Sequence, residues 1–233
     1  MSDKEYFYEV IKSMCDTHEC AQLIAEEYAT HNSIARFDHV SSRCFFYTRS
    51  WPVLADVLQE GLSLMVRNRP SNKIVGAIVA NDLYLSHKNH PYDPGSPPAI
   101  FPINDLIAEM DDLSIRRDFG ERLRPKLVLR VTIGATLAEH SGKGVASRLR
   151  AAVCEHAQET KGFQYALLQT TNPVTEHIYL NKMGGKVITM IDPKMWSWKN
   201  KGDGLSQPYK DYEGGLISNI LVQLPLHQEH NDI

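Results

Sequence analysis

The sequence predicts an α+β protein, and three observations lead to that class. Apolar residues follow a helical period in some segments and a strand-like pattern in others, in irregular order. Two adjacent strand candidates, at residues 62–68 and 73–85, are joined by a short turn containing Pro and Asn, which is typical of an antiparallel hairpin. Connections are short except at residues 86–103 and 193–214. With 233 residues, 42% of them hydrophobic, the chain can bury a core, and we expect residues 1–233 to form one domain.

The first elements follow from local patterns. Aromatic and β-branched residues predict a strand at residues 6–13. A helix is predicted to begin at Asp16 or Thr17, either of which can cap it, because apolar residues recur there at helical spacing. A second helix is predicted from Ser50, a possible cap, to Gly61, which would end it.

The second half of the chain continues in the same manner after the Pro- and Gly-rich loop. The predicted elements are a helix at 103–119, a strand at 126–137, a helix to about residue 161, a strand at 165–171, a short helix at 174–183, and strands at 186–191 and 215–224. No internal repeat and no low-complexity segment interrupts them. This order of elements shows whether a functional motif lies on a helix, on a strand or in a loop.

Composition and charge exclude several classes of function. A net charge of −3 with a pI near 6.4 offers no basic surface for nucleic acid or anionic lipid. The first ten residues lack the pattern of a secretory signal, and no apolar run approaches the roughly 20 residues that cross a bilayer. The four cysteines (Cys15, Cys20, Cys44 and Cys154) lack metal-binding spacing, so we expect no metal site and reduced thiols in the cytoplasm.

One stretch, AEHSGKGVASRL, stands between a predicted strand and a predicted helix. The first N–H groups of a helix are unpaired, and Gly142 and Gly144 let a ligand approach the backbone closely. An anion such as a pyrophosphate fits this position, where the helix dipole adds positive charge. The spacing matches neither a Walker loop nor a dinucleotide-binding fingerprint. A left-handed turn that binds no ligand is the alternative.

The segment SGKGVASRL resembles the acetyl-CoA loop of the GNAT N-acetyltransferases, whose pattern is Arg/Gln-x-x-Gly-x-Gly/Ala. Gly144 and Ala146 take the small-residue positions, and Ser141 stands where the family usually has Arg or Gln. The order of elements, from the N-terminal helices to the short helix ending at Gly184, also agrees. The resemblance implies the GNAT fold, with a mixed, mostly antiparallel central sheet flanked by helices. The hairpin is loosely similar to that of the arylalkylamine N-acetyltransferase group.

This resemblance also implies acetyl-CoA as the co-substrate and a primary amine, expected to be a small molecule, as the acceptor. The amine would attack the thioester directly, through a tetrahedral intermediate. Thr136 and Ala138, at the end of the strand, would bind the pantetheine arm through their backbone. The residues implied to bind the co-substrate are Thr136, Ala138, Ser141, Gly142, Lys143, Gly144, Val145, Ala146, Asn172 and Tyr179.

The same resemblance implies catalytic residues. Tyr179 lies seven residues after Asn172, where the family often has a tyrosine that protonates the leaving thiolate. An alignment anchored on Gly184 places Leu180 there instead, so both positions stay open. Asp82 and Asp38 are the candidate general bases. The acceptor site would be lined by the N-terminal helices and by the loops at 86–103 and 193–214.

Two other functions fit the same fold. The chain could be a module that binds coenzyme A or acyl-CoA without catalysis, or it could acetylate a protein or peptide. The aromatic residues Trp196, Trp198, Tyr209 and Tyr212 suit an apolar amine, a packed lid or a homodimer contact equally well. Turnover with free amines and with peptides would separate these hypotheses.

Overall fold

A computed structural model describes residues 4–200 and 204–225, and a seven-stranded sheet forms its centre. The strands are β1 Tyr6–Val10, β2 Leu64–Asn68, β3 Ile74–Asp82, β4 Val128–Thr136, β5 Tyr165–Thr170, β6 Lys186–Ile191, β7 Trp198–Asn200, β8 Gly204–Ser206 and β9 Ile217–Gln223. The order across the sheet is β1-β2-β3-β4-β5-β9-β6, while β7 and β8 form a separate two-stranded hairpin.

The α-helices surround this sheet. They are α1 Met14–His31, α2 Ser33–Phe37, α3 Ser42–Phe45, α4 Trp51–Val57, α5 Leu83–Asn89, α6 Pro102–Ser114, α7 Val145–Lys161 and α8 Pro173–His177. Three π-helical turns extend α3, α6 and α8, at Phe46–Ser50, Ile115–Phe119 and Ile178–Lys182. Such turns carry an extra residue, and they occur often at functional sites.

Every neighbouring pair in the sheet is antiparallel except β4 and β5, which run parallel. A parallel pair needs a crossover connection, and α7 supplies it. The predicted α+β class, with a mixed and mostly antiparallel sheet flanked by helices, is therefore confirmed.

The sheet is buried between helices on both faces, which explains why all nine residues of β3 are buried. On one face, α7 packs Leu149 and Val153 against the sheet, in a cluster that includes Ile78. On the other face, Ile24 of α1 and Leu54 of α4 share a cluster with Val79. Adjacent residues of β3 alternate between these two clusters, as the strand period requires.

Several boundaries differ from the sequence-based expectations, and each has a local cause. Helix α1 begins after Ser13, whose hydroxyl accepts from the Asp16 N–H at 3.0 Å, so neither Asp16 nor Thr17 is its cap. Ser50 directly precedes α4, as predicted, but its side chain does not cap the helix, because the hydroxyl donates to Ala21 O at 2.8 Å. Strand β3 ends at Asp82 because its carboxylate caps α5.

Two kinds of feature are absent from the described ranges, 4–200 and 204–225. No helix there has the length and apolar character needed to span a bilayer. No group of three or more His, Cys, Asp or Glu side chains there could hold a metal ion.

Candidate active site

Strands β4 and β5 separate partway along their length, and this opens the sheet. Their pairing runs from Val128 opposite Tyr165 to Val131 opposite Leu168 and then stops. Beyond it, β4 continues to Thr136 paired with β3 alone, while β5 continues against β9. The Leu137 N–H donates to Val75 O at 2.9 Å, so strand alternation turns the Thr136 N–H toward the gap.

A cavity of about 480 Å³ occupies this gap, and we call it the sheet cavity. Its lining comes from the open end of β4, from β5, from α1 and from the start of α7. Of the residues implied by the resemblance, those in the lining are Thr136, Ala138, Ser141, Ala146, Asn172 and Tyr179. The Thr136 hydroxyl is buried in the described structure without a hydrogen-bond partner.

The glycine-rich loop brings the first turn of α7 to the mouth of this cavity. Gly142 and Gly144 have φ values of 76° and 77°, a left-handed backbone that other residues adopt only with strain. A Cβ at Gly142 would meet no atom within 4 Å, so the loop surface is open there. No side chain caps the start of α7, which leaves its first N–H groups available to an anion.

The other loop residues have different surroundings. The sheet cavity is not lined by Gly142, Lys143, Gly144 or Val145. The Val145 side chain is buried in the core cluster that α7 forms with the sheet. The Lys143 ammonium lies 3.2 Å from the Glu5 carboxylate, and this hydrogen bond raises the pKa of Lys143. These four residues could therefore contact a ligand only at the open face of the loop.

Tyr179 lines the sheet cavity, and Leu180 does not. The Tyr179 hydroxyl is buried without a hydrogen-bond partner in the described structure, and its ring belongs to the core cluster against which Leu180 packs. Burial raises the pKa of the Tyr179 phenol, so it stays protonated at neutral pH. The π-turn at Ile178–Lys182 adds one residue, which accounts for the late position of Gly184.

The two aspartates predicted as bases lie elsewhere. The Asp82 carboxylate accepts from Tyr84 N–H at 2.9 Å and from Lys126 N–H at 2.7 Å. The Asp38 carboxylate accepts from the Tyr209 hydroxyl at 2.9 Å. Neither aspartate lines the sheet cavity. Asp82 therefore holds a strand-to-helix junction, and Asp38 anchors an aromatic side chain. A role as general base at either position stays a prediction.

Other polar groups of the sheet cavity were not found from the sequence. Glu27 and His31 of α1 line it, 3.5 Å apart, and the Ala138 N–H donates to Glu27 at 3.3 Å. Arg150 of α7 also lines it, with its guanidinium 6.0 Å from the centre of the Tyr179 ring. Of these polar groups, only Arg150 could have been found from the sequence, because it is a charged residue among the apolar, buried positions of α7.

A second cavity, of about 840 Å³, lies beside the first, and we call it the loop cavity. Its lining includes much of residues 86–98 and also Trp196, Trp198 and the carboxylates Asp105 and Glu109. The Trp196 Nε1–H donates to Glu109 at 3.0 Å, and the Trp198 Nε1–H donates to Asp105 at 2.7 Å. The long loops thus line a cavity next to the opened sheet, where the acceptor site was expected.

The two cavities share three lining residues, Arg49, Asn104 and Ile107, which we call the throat. Next to it, Arg130 pairs with Asp111, and Asp111 also accepts from the Gln169 amide. Arg130 and Asp111 line the loop cavity, and Gln169 lines the sheet cavity, so these hydrogen-bonded side chains connect the two cavities.

The fold has solved counterparts, although neither a protein-family model nor a curated protein sequence matches the chain. The C-terminal condensation domain of Ebony, in complex with beta-alanyl-dopamine, superposes with a TM-score of 0.72 at 14% identity, over 94% of this chain and 99% of that one. Mosquito arylalkylamine N-acetyltransferase like 5b has a TM-score of 0.67 at 14% identity, over 94% and 100%. Drosophila melanogaster polyamine N-acetyltransferase has 0.62 at 12%, over 94% and 100%.

These similarities extend over nearly the whole of each chain, at identities that inform on the fold. The parallel β4–β5 pair opened at one end, with a glycine loop and a helix after β4, agrees with the fold that the loop motif predicted. This chain has the fold of the GNAT-type N-acetyltransferases.

Proposed function

We propose that this protein is an acetyl-CoA-dependent N-acetyltransferase that acetylates a primary amine carried by a small molecule. The observation that carries the proposal is the continuity of three features. The sheet cavity is lined by Tyr179, whose buried hydroxyl has no hydrogen-bond partner among the described residues. The cavity runs along the open edge of β4 and reaches the start of α7, which no described side chain caps. The amine N-acetyltransferases of the same fold support the choice of acceptor.

The residues present fit coenzyme A. A diphosphate needs several N–H donors and room beside them, and the start of α7 with Gly142 and Gly144 offers both. An amide-containing arm needs backbone partners along an open strand edge, and the Thr136 N–H faces the gap. The buried Thr136 hydroxyl also lacks a partner in the described structure. When bound, the co-substrate supplies an acyl group activated as a thioester.

Tyr179 is proposed as the proton donor to the leaving sulfur. Its phenol is protonated at neutral pH because burial raises its pKa, and in the described structure no protein group accepts its hydrogen bond. Burial would also raise the pKa of a thiol beside Tyr179, because desolvation disfavours the charged form of both acids. The hydroxyl is therefore available to a group that enters the sheet cavity.

The Glu27–His31 pair is proposed to receive the proton of the amine. An ammonium group of pKa near ~10 is almost fully protonated at neutral pH and must lose a proton before it attacks. Carboxylates and imidazoles are the side chains that serve most often as general bases. Glu27 is the one carboxylate among the described residues that line the sheet cavity. Glu27→Gln tests this role, with the exposed neighbour Glu26→Gln as the matched control.

The decisive experiment measures release of the coenzyme A thiol from acetyl-CoA in the presence of small primary amines. Amine-dependent turnover supports the proposal. Binding of coenzyme A without turnover of any amine or peptide would leave a non-catalytic binding module of the same fold. Turnover of peptides alone would identify a protein acetyltransferase, an outcome that the enclosure of the loop cavity by residues 86–98 and the tryptophans argues against. One domain, a cytoplasmic location and a possible homodimer stay predictions.

A further inference from the structure

Arg49 is a charged side chain for which the described structure contains no counterpart. It lies in the throat and contributes to the lining of both cavities. Across residues 4–200 and 204–225, no hydrogen bond or salt bridge engages its guanidinium. Burial, together with the nearby Arg130, lowers the pKa of Arg49 to about 10, so the group still carries its charge at neutral pH. Its side chain is partly exposed, so five N–H donors stand at the junction of the two cavities.

The backbone around Arg49 is held firmly in place. Arg49 belongs to the π-turn at Phe46–Ser50, and an extra residue in a helix re-aims the side chains of that turn. The next residue, Ser50, is fully buried and donates to Ala21 O at 2.8 Å. The preceding residue, Thr48, donates to Cys44 O at 2.8 Å. This segment is therefore anchored on both sides of the arginine.

Asp111 is the carboxylate whose charge raises the pKa of Arg49, and it does so only as a minor influence. Its two oxygens are engaged by Arg130 and Gln169, and no carboxylate of the described structure forms an ion pair with Arg49. Two further donors without acceptors in the described structure lie in the throat or next to it. The Arg130 Nε is buried and unpartnered, and no hydrogen bond engages the side-chain amide of Asn104, which shares the throat with Arg49.

We propose that the throat binds a carboxylate carried by a substrate of the transfer reaction, with Arg49 as its principal ligand. The inference rests on the proposed function and specifies its substrate class. A guanidinium presents paired N–H groups that match the two oxygens of a carboxylate. The Asn104 amide can donate a third hydrogen bond. Because the throat adjoins the sheet cavity, the carboxylate lies close to the reacting amine, as it does in an amino acid.

The carboxylate has two possible sources, the acceptor amine or a dicarboxylic acyl group on the coenzyme. We compare pairs of acceptors that differ by one carboxylate: phenylalanine with phenylethylamine, lysine with cadaverine, and γ-aminobutyrate with propylamine. A second arm replaces acetyl-CoA with succinyl-CoA, using phenylethylamine as the acceptor. We expect kcat/KM for the carboxylated substrate to exceed that of its partner by about 10- to 100-fold, the range of a hydrogen-bonded charge pair.

Arg49→Gln is expected to bring this ratio close to one while turnover of the carboxylate-free amine is retained. Arg49→Lys, which keeps the charge but not the paired geometry, gives an intermediate ratio. Arg36→Gln, at an exposed arginine of α2, leaves the ratio unchanged. A thermal-shift assay with coenzyme A and N-acetylphenylalanine or N-acetylphenylethylamine reports on the throat without turnover, and Arg49→Gln should remove the difference between the two products.

Preference for the carboxylate-free partner in every pair, with coenzyme A binding intact, would overturn the inference and leave the proposed function standing. An equal loss for all amines in Arg49→Gln, with the pH optimum moved upward, would also overturn it, because Arg49 would then act by lowering the pKa of the amine. Absence of both turnover and coenzyme A binding would instead count against the proposed function. In that case, carboxylate-dependent stabilisation that disappears in Arg49→Gln would still support the throat site.

Discussion

Removing the charge of Arg49 is expected to stabilise the protein in the absence of ligands. Burial and Arg130 lower the pKa of Arg49 from 12.5 to about 10, and each pKa unit corresponds to about 1.4 kcal/mol. The charged form therefore costs the folded state at most about 3 to 4 kcal/mol, and less to the extent that water in the two cavities screens it. The folded state binds this proton less tightly than the unfolded chain does, so the cost applies at every pH below about 10.

Arg49→Met removes the charge and keeps an apolar stem in the throat. We expect the free energy of unfolding at pH 7 to rise by about 1 to 3 kcal/mol. For a chain of this length each kcal/mol moves Tm by roughly 2–4 °C, so differential scanning calorimetry can detect the gain. Arg36→Met is the control and should change stability by no more than about 0.5 kcal/mol. A variant less stable than wild type would show that the guanidinium has favourable contacts within the protein, and the reasoning would be wrong.

Three further predictions concern buried polar groups. Tyr179→Phe should lower kcat for acetyl transfer by about 100-fold or more and leave Tm unchanged or slightly higher, because its hydroxyl has no partner in the described structure; an unaltered kcat would exclude it as the proton donor. Asp111→Ala should cost about 3 to 5 kcal/mol in urea unfolding, since it leaves Arg130 buried without its counter-ion; a loss under 1 kcal/mol would contradict this. Burial raises the pKa of Asp38, so the folded state favours the protonated form of this side chain. The stability that Asp38 contributes to the folded state is therefore complete below pH ~4, and it is lost as the pH rises. Asp38→Asn should thus retain activity and be at least as stable as wild type at pH 7, with the difference shrinking toward pH 4; loss of acetyl transfer would restore Asp38 as a base.

The features that sequence reasoning predicted correctly depend on residues close together in the chain. The glycine loop is one: a strand, two glycines and a helical period occupy one short stretch, and the structure has a strand end, two left-handed residues and the start of α7 there. The open side of β4 was also predictable once the fold was, because alternation along a strand decides which N–H groups face the gap. Whether these groups bind acetyl-CoA stays a prediction.

The features that were missed depend on contacts between distant segments. Asp82 and Asp38 looked like free carboxylates because their partners, Lys126 and Tyr209, lie 44 and 171 residues away. Arg49 was not singled out from the sequence, because neither the π-turn nor the throat has a local signature. The choice between Tyr179 and Leu180 likewise depended on one extra residue in a π-turn. A 100° change in side-chain direction follows from such an insertion.

The central claim is that the loop from Gly142 to Ala146 holds the diphosphate of coenzyme A. Calorimetric titration of coenzyme A into wild type, Gly144→Glu and Gly162→Glu tests it most directly. Gly162 ends the same helix, has a similar φ of 75°, and a Cβ there would also be unobstructed, so both variants carry comparable backbone strain. The account predicts binding to wild type and Gly162→Glu and its loss in Gly144→Glu, where a carboxylate would enter the anion site. Equal affinity in all three proteins would contradict it.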